Sequence, residues 1–399
     1  MEIRVLRALD DVAPERWDAL AGEHNPFVEH AFLSLLERSG SVGPGTGWEP
    51  VHVVVEEAGE LVGAAPCYLK DESYGEYIFD WSWAEAAARA GLPYYPKLVV
   101  AVPFTPATGP RLLVREDADR DVVRHALVDG LEALMDEVDA QGLHVLFSLD
   151  EEAAFLESRG LVRRATHQFH WRNDGYTSFD SFLDTLRSEP RKQIRKERRK
   201  VRESGLCLEV RRGDELSPEE WRCLDRLYRS TSGRKWGSPY LTRRFFEEAA
   251  GIVGHRAVVA FARSEDEGGK IVAGALSFEK GAHLYGRYWG AFVDVDSLHF
   301  EVCYYQLIER AIERGLSLVE AGAQGPHKLK RGFLPVVTHS SHKLKHPALH
   351  DAVLRAMRAE AGYVRDEIAR AQLEGPFRKD AVPDLPPVAG VPLPMDARE

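Results

Sequence analysis

The sequence predicts an α/β protein with two domains of the same type. A strand–turn–strand pattern occurs once in each half, at residues 53–69 and 258–278, with turns at Ala58-Gly59 and Gly268-Gly269. The chain has 399 residues, which is long enough for two domains that each bury a core. The repeated hairpin therefore indicates that the two domains have the same fold.

A second pattern follows each hairpin and supports the same interpretation. Residues 126–148 and 299–320 each read as an amphipathic helix, a Gly-Leu stop and a strand, with Gly142 and Gly315 at the two stops. The later helix has one apolar face, which predicts a continuous buried stripe formed by Phe300, Cys303, Tyr304, Leu307, Ile308, Ala311 and Ile312.

The spacing of the repeats predicts an insertion in the first half. Leu61 and Ile271 of the hairpins are 210 positions apart, whereas Gly142 and Gly315 are 173 apart, and 210 − 173 = 37. We assign the insertion to an aromatic segment at about residues 72–96, which includes Y-G-E-Y-I-F-D-W-S-W. The sequence leaves the role of this segment open.

The domain boundaries follow from turn residues and proline content. We expect a first domain at residues 1–172 and a second at residues 173–347, joined near the turn-rich segment 171–182. A helix at residues 348–375 and a Pro-rich tail at residues 376–399 complete the chain.

Composition excludes several classes of protein. Hydrophobic residues make up 44% and charged residues 29% of the chain, as in ordinary globular proteins. The start resembles no signal peptide and no window approaches a membrane span, so we expect a cytoplasmic protein without a transmembrane segment. The four cysteines are scattered and are interpreted as buried apolar residues. The oligomeric state is left open.

Charge is distributed unevenly along the chain. The net charge is −11, yet residues 187–202 carry nine bases and two acids, or +7. Such a segment would attract a polyanion, for which a phosphate-bearing donor, a tRNA and an acidic membrane surface are the alternatives. A solvated helix with no partner explains the pattern equally well.

The segment at residues 320–342, E-A-G-A-Q-G-P-H-K-L-K-R-G-F-L-P-V-V-T-H-S-S-H, holds the densest group of chemically useful side chains. It follows a predicted buried strand and is broken by glycines, as at many α/β sites. Proton transfer needs a base, a developing oxyanion needs hydrogen-bond donors, and a phosphate-bearing ligand needs a cationic clamp. His342 is the first candidate for the base because imidazole titrates near neutrality. Glu320 is the second candidate and His327 the third.

The remaining candidates would bind substrate. We assign Gln324 to the oxyanion, and Lys328, Lys330 and Arg331 to a phosphate clamp. Five further candidates for the acceptor cleft are Lys235, Trp236, Arg287, Tyr288 and Tyr305.

We predict no metal site. His339, His342, His346 and His350 have helical spacing, but Pro347 interrupts any helix through them.

Several long motifs resemble the FemAB-like branch of the GNAT acyltransferase superfamily. They are the basic segment S-E-P-R-K-Q-I-R-K-E-R-R-K-V, then L-Y-R-S-T-S-G-R-K-W-G-S-P-Y-L-T-R-R-F-F, L-Y-G-R-Y-W-G and E-A-G-A-Q-G-P-H-K-L-K-R-G-F-L-P, with Y-Y-P-K-L-V-V-A-V-P-F-T-P-A-T-G-P-R-L-L in the first half. The resemblance implies two tandem GNAT-like domains, each a mixed, mostly antiparallel twisted sheet flanked by helices. It also implies N-acyl transfer to an amine.

The related Fem-type aminoacyltransferases move amino acids from aminoacyl-tRNA onto peptidoglycan precursors. They share an R-x-x-I-R-K helix and a K-x-x-x-G-F turn, which match residues 191–196 and 328–333 of this chain.

One departure from ordinary acetyltransferases concerns the donor. Their coenzyme A pyrophosphate lies in a glycine-rich loop at a helix N-terminus. The matching loop here, F-V-D-V-D-S-L, contains Asp294 and Asp296, and the first-domain loop T-P-A-T-G-P-R has one glycine and Arg111. We expect no tightly bound cofactor, and either acyl-CoA or aminoacyl-tRNA as co-substrate.

The sequence therefore predicts an N-acyltransferase that moves an acyl or aminoacyl group from an activated, acyl-CoA-like donor onto a small-molecule or peptide amine. One alternative is an aminoacyl-tRNA-dependent transferase that acts on a peptidoglycan precursor. The other is a non-catalytic protein that binds a peptide or lipid-linked ligand. Peripheral contact with a membrane is left open. The first half lacks the histidines and bases of residues 320–342, so we expect the second domain to be catalytic.

Overall fold

The computed structural model describes residues 1–232, 239–322 and 325–383, and its contacts divide the chain into two compact units. Unit 1 contains residues 1–167 and 337–367, and unit 2 contains residues 168–336 and continues from residue 368. Residues 337–347, which were expected in the second domain, group with unit 1 because residues 339–344 pair with a strand at 142–148. Residues 384–399 of the expected Pro-rich tail lie outside the described residues.

Of the described strands, those at residues 162–172 and 334–344 have residues in both units, and each of the others lies within one unit. In chain order they are β1 (Glu2–Leu6), β2 (Glu49–Pro50), β3 (His52–Glu57), β4 (Glu60–Ala65), β5 (Cys67–Lys70), β6 (Lys97–Val100), β7 (Leu113–Val114), β8 (Gly142–Ser148), β9 (Val162–Arg172), β10 (Leu206–Arg212), β11 (Ala257–Ser264), β12 (Lys270–Lys280), β13 (His283–Ala291), β14 (Leu318–Glu320) and β15 (Leu334–Leu344).

The helices range from single turns to the long C-terminal helix. In chain order they are α1 (Pro14–Asp18), α2 (His30–Arg38), α3 (Trp81–Arg89), α4 (Arg120–Glu137), α5 (Asp150–Ser158), α6 (Phe179–Thr185), α7 (Ser188–Arg202), α8 (Pro218–Ser232), α9 (Arg243–Ile252), α10 (Leu298–Phe300), α11 (Gln306–Glu313) and α12 (Pro347–Glu374). A π-helical segment, Glu301–Tyr305, joins α10 to α11, and a 3-10 turn, Pro326–Arg331, precedes β15. Every helix in the described part of the chain is too short or too polar to cross a bilayer.

Unit 1 contains two sheets. The smaller has the antiparallel order β1-β3-β4-β7, and its β3–β4 hairpin turns at Ala58 and Gly59 as predicted. The second has the order β15-β8-β6-β5-β2 and is antiparallel except for the β6–β8 pair. Helix α4 packs on this framework through Val123, Leu127 and Leu131.

Unit 2 contains the strand order β10-β11-β12-β13-β14-β9, in which only β13 and β14 are parallel among the described pairs. Its β11–β12 hairpin turns at Gly268 and Gly269, both at positive φ, as predicted. The expected fold class, mixed and mostly antiparallel sheets flanked by helices, is confirmed in both units.

The two predicted helix stops behave differently. Gly315 takes φ 66° directly after α11 and its cap, so it ends that helix as expected. Gly142 is instead the first residue of β8, and the prediction for it was wrong. Helix α4 ends at Glu137, and Asp139 takes the left-handed conformation with φ 50°. An Asp tolerates this conformation better than most residues, which is why a glycine is not needed there.

The predicted buried stripe on the later helix is only partly correct. Phe300 and Cys303 are half-buried, whereas Glu301, Val302 and Tyr305 are buried in addition to the remaining predicted residues. The π-helical segment is the cause, because its wider turn shifts the phase of the buried face by one residue.

The aromatic insertion of unit 1 is fixed by buried ions. Lys97 donates to Glu76 at 2.9 Å, to Asp80 and to Ser73 at 2.8 Å, and the Tyr94 hydroxyl donates to Asp80 at 2.6 Å. The charged side chains are almost fully buried. Burial raises the pKa of Glu76 to about 7, although Lys97 acts in the opposite direction. The buried Lys70 also lies 3.8 Å from Glu76, so the insertion is held by an ion cluster in which Lys97 bonds to both carboxyl groups.

We expect Lys97→Met to destabilise the protein by about 3–5 kcal/mol, because the buried Asp80 loses its paired cation and the buried Glu76 is left with Lys70 at 3.8 Å. Chemical denaturation measures this change. The matched control is Arg89→Met in the same insertion, since Arg89 forms an exposed ion pair with Glu85 and its loss should cost less than about 1 kcal/mol. Equal free energies of unfolding for the two variants would contradict the assignment.

Candidate functional site

The structure divides the predicted site residues between the two units. His342 belongs to unit 1, and the other described candidates belong to unit 2. Gln324, Lys235 and Trp236 lie outside the described residues.

His342 is part of a buried pair of histidines in unit 1. It faces His144 across the β8–β15 pair, with 2.8 Å between the two Nδ1 atoms, and its Nε2 lies 2.8 Å from the Ser340 hydroxyl. The ring packs edge-on against Trp83 at 4.8 Å. Burial, followed by the neighbouring His144, lowers the pKa of His342 well below its usual value, and burial lowers the pKa of His144 to about 3. The pair is therefore neutral, and it joins two strands.

In unit 2, the predicted strand end is a point where three strands meet. Glu320 is the last residue of β14, is buried, and stands opposite Tyr285 of β13 and His170 of β9. Its Oε2 lies 3.9 Å from His170 Nε2. Burial lowers the pKa of His170 to about 3, so this imidazole is neutral. The parallel β13–β14 pairing ends here, and Gly322, at φ 81°, begins the loop.

Lys328 is the most unusual side chain of this strand end. It lies on the 3-10 turn, is only 2% exposed, and donates from Nζ to the Gly322 carbonyl at 2.8 Å. Burial lowers the pKa of Lys328 to about 7, with Arg287 acting in the same direction and Cys303 in the opposite one. A buried lysine that is half neutral at pH 7 suits proton transfer better than a solvent-facing phosphate clamp.

The side chain of Arg331 is held by other residues of unit 2. Its guanidinium donates to Glu197 of α7 at 2.7 Å and to the His327 carbonyl at 2.7 Å, and it stacks on Phe300 at 3.3 Å. Glu197 also accepts from the Tyr305 hydroxyl. Arg331 and Tyr305, both predicted to bind substrate, therefore join the turn, α7 and the π-helical segment to one another.

The basic helix α7 has two faces. Its buried Arg198 pairs with Glu301 at 3.0 Å and Glu309 at 2.7 Å. The exposed face carries Lys192, Arg195, Lys196, Arg199, Lys200 and Arg202, of which Arg195 and Lys200 pair with Asp180 and Asp296. Sequence reasoning missed Glu197 and Glu301, although acids at buried helical positions among bases are a signal for internal pairing.

The other described candidates lie on the 3-10 turn and on β13. His327 is exposed and its Nε2 contacts the Tyr304 hydroxyl at 3.0 Å, and Lys330 is exposed. Arg287 lies over the Tyr288 ring at 5.4 Å, and Tyr288 packs edge-on against Tyr228 at 5.1 Å. A shallow apolar pocket between α8 and strands β12 and β13 includes both tyrosines. Over residues 1–232, 239–322 and 325–383, no group of three His, Cys, Asp or Glu side chains could hold a metal ion.

We expect Arg331→Met to lower the free energy of unfolding by about 3–5 kcal/mol, because the buried Glu197 carboxylate loses its cation. Lys330→Met is the control, since this neighbouring side chain is exposed and should change stability by less than about 0.5 kcal/mol. Urea denaturation of both variants makes the comparison. If Arg331→Met leaves the free energy of unfolding unchanged, the ion pair does not stabilise the fold, and Arg331 is again a candidate for substrate binding.

Three solved structures share the fold of most of the chain at low sequence identity. FemX is 12% identical, with 89% of this chain and 100% of that chain covered and a TM-score of 0.55. The C-terminal domain of a putative lysylphosphatidylglycerol synthetase from Agrobacterium fabrum is 9% identical over 86% and 95% of the two chains, with a TM-score of 0.53. L-PGS from Bacillus licheniformis is 14% identical over 85% and 98%, with a TM-score of 0.50.

Sequence comparison identifies the family. No curated protein is significantly similar to the chain. The family model FemAB-like, described as peptidoglycan biosynthesis/recognition, matches residues 8–379, which is nearly the whole chain. The chain therefore belongs to the FemAB-like family.

Proposed function

We propose that this protein is an N-acyltransferase that moves an acyl or aminoacyl group from an activated donor onto an amine of a peptidoglycan precursor. Membership of a family described by peptidoglycan biosynthesis/recognition supports the acceptor class. The observation that carries the chemistry is the buried Lys328, whose pKa is lowered to about 7 beside the end of β14.

Lys328 acts as the base in this proposal. The acceptor amine is an ammonium ion at neutral pH and cannot attack until it loses a proton. The neutral Nζ of Lys328 takes that proton, and the amine nitrogen then forms a bond to the donor carbonyl carbon. As the tetrahedral intermediate collapses, the bond to the donor sulfur or oxygen breaks, and the Lys328 ammonium returns the first proton to the leaving group. The attacking nitrogen loses its second proton to solvent, so the reaction releases one proton overall. No atom changes its oxidation state.

The end of β14 beside Lys328 supports the position of the reaction. Among the described residues, β14 pairs in parallel with β13 over residues 318–320 and 283–285, whereas β13 continues to Ala291. The carbonyl of Gly322, two residues beyond the end of β14, accepts from the Lys328 amine. A donor carbonyl carbon that lies at this strand end would therefore be next to the base.

A specific observation favours aminoacyl-tRNA as the alternative donor. The loop in the usual place for a coenzyme A pyrophosphate carries Asp294 and Asp296, and Lys200 pairs with only the latter among the described contacts. Two carboxylates disfavour a pyrophosphate at that point. The exposed bases of α7 instead offer phosphate contacts to a nucleic acid.

The test for the base is a pH–rate profile of wild type and Lys328→Met. A neutral amine is the active form, so we expect the wild-type rate to rise with pH through about 7. Loss of the base should lower the rate by at least about 100-fold and remove this rise. Lys270→Met, which changes an exposed lysine at the start of β12, should keep both the rate and the profile. A Lys328→Met enzyme with the wild-type profile would exclude the proposed role.

The donor is tested by supplying aminoacyl-tRNA and acyl-CoA in turn with a peptidoglycan precursor peptide. Transfer that survives RNase and requires acyl-CoA identifies the thioester donor. Transfer that RNase abolishes identifies tRNA. Binding of the precursor without transfer from either donor would contradict an enzymatic role and favour a recognition protein.

A further inference from the structure

We propose that the exposed aromatic rings of Tyr74, Phe79 and Trp81 form a platform in unit 1 that binds the sugar of a glycan-bearing ligand. The inference deepens the proposed function, since it names the part of the peptidoglycan precursor that this surface would recognise.

The three rings form one cluster on the surface of the insertion. Tyr74 is 53%, Phe79 46% and Trp81 52% exposed. The centroid of the Trp81 ring lies 5.2 Å from that of Phe79 and 6.5 Å from that of Tyr74. Single exposed apolar side chains are common, but adjoining large rings that stay in water mark a binding surface.

The backbone beneath these rings is fixed by buried donors. The Tyr74 carbonyl accepts from Lys70 Nζ at 3.1 Å and from Trp48 Nε1 at 3.2 Å, and the Phe79 carbonyl accepts from Arg164 at 3.2 Å. Lys70 is buried and lies over the Trp48 ring at 3.7 Å. Trp81 is the first residue of α3. The rings are thus presented on an ordered backbone, so a ligand need not order the segment on binding.

A fourth exposed ring, Tyr363, lies on α12, the helix that Arg164 connects to the insertion. Arg164 donates to both carboxylate oxygens of Glu360 on α12 at 3.0 Å while it holds the Phe79 carbonyl. Tyr363 lies three residues beyond Glu360, on the same side of the helix, and is 78% exposed. The aromatic surface can therefore extend from the insertion along α12.

The chemistry of the rim favours a sugar over an anionic surface. Three exposed acids, Asp71, Glu72 and Glu85, and one exposed base, Arg89, which pairs with Glu85, lie in the same segment. Their net negative charge repels phosphate groups of an acidic bilayer or a nucleic acid. A pyranose ring has an apolar C–H face that packs on the negative face of an aromatic ring. Its hydroxyl groups are donors, which carboxylates at a rim can accept. A sugar ring matches both the rings and the acids.

The test is a binding measurement on the full chain, with an oligosaccharide of N-acetylglucosamine as the probe. We expect the oligosaccharide to change the tryptophan emission of the wild type, and Trp81→Ala to lower its affinity by about 10-fold. Phe292→Ala is the matched control, since Phe292 is a similarly exposed aromatic residue of unit 2. The melting temperatures of both variants should equal that of the wild type, because both side chains are exposed.

A second measurement separates this inference from the proposed reaction. With acceptors that do and do not carry the sugar, Trp81→Ala should raise KM only for the sugar-bearing acceptor and leave kcat unchanged. Oligosaccharide binding that depends on Trp81 supports the platform even if no transfer is found. Unchanged oligosaccharide affinity in Trp81→Ala, or Trp81-dependent binding to phosphatidylcholine vesicles without oligosaccharide binding, would overturn it.

Discussion

The geometry of the unit 2 site depends on one buried carboxylate, Glu197. It accepts from Arg331 of the 3-10 turn and from Tyr305 of the π-helical segment, and it belongs to α7. The 3-10 turn and the π-helical segment are short and irregular, whereas α7 is a regular helix of 15 residues that can hold them in place. A charged acceptor shared by an arginine and a tyrosine provides directional contacts at a single point. The turn that carries Lys328 is positioned by that point.

The basic residues of this region have different roles. Arg331 and Arg198 are buried with carboxylates, whereas the acceptor described for the buried Lys328 amine is a carbonyl, that of Gly322. A lysine in that environment gives up its proton more readily than one beside a carboxylate. The same short segment thus combines a permanent cation, which stabilises the fold, with an amine whose charge can change.

Local patterns predicted the parts of the fold that local forces determine. Both hairpins, the Gly315 stop and the family resemblance could be read from the sequence, because turn residues and apolar periodicity act over a few positions. The pairing of His342 with His144 could not, since the two residues are 198 positions apart and only the β8–β15 register brings them together. The phase shift at Glu301–Tyr305 also escaped prediction, because a π-helical turn has no strong sequence signal. The dense segment at residues 320–342 was recognised, but not which of its bases are buried.

The interleaved course of the chain has a consequence for synthesis and folding. Strand β8 of unit 1 ends at residue 148, yet its antiparallel partner in β15 is residues 339–344. During translation the edge of β8 therefore has no such partner until almost all of unit 2 has left the ribosome, which delays completion of the unit 1 sheet. A chain that stopped at residue 167 would lack the β15 partner of β8. The two halves of the sequence can be compared as repeats, but the first half alone lacks a strand of its own sheet.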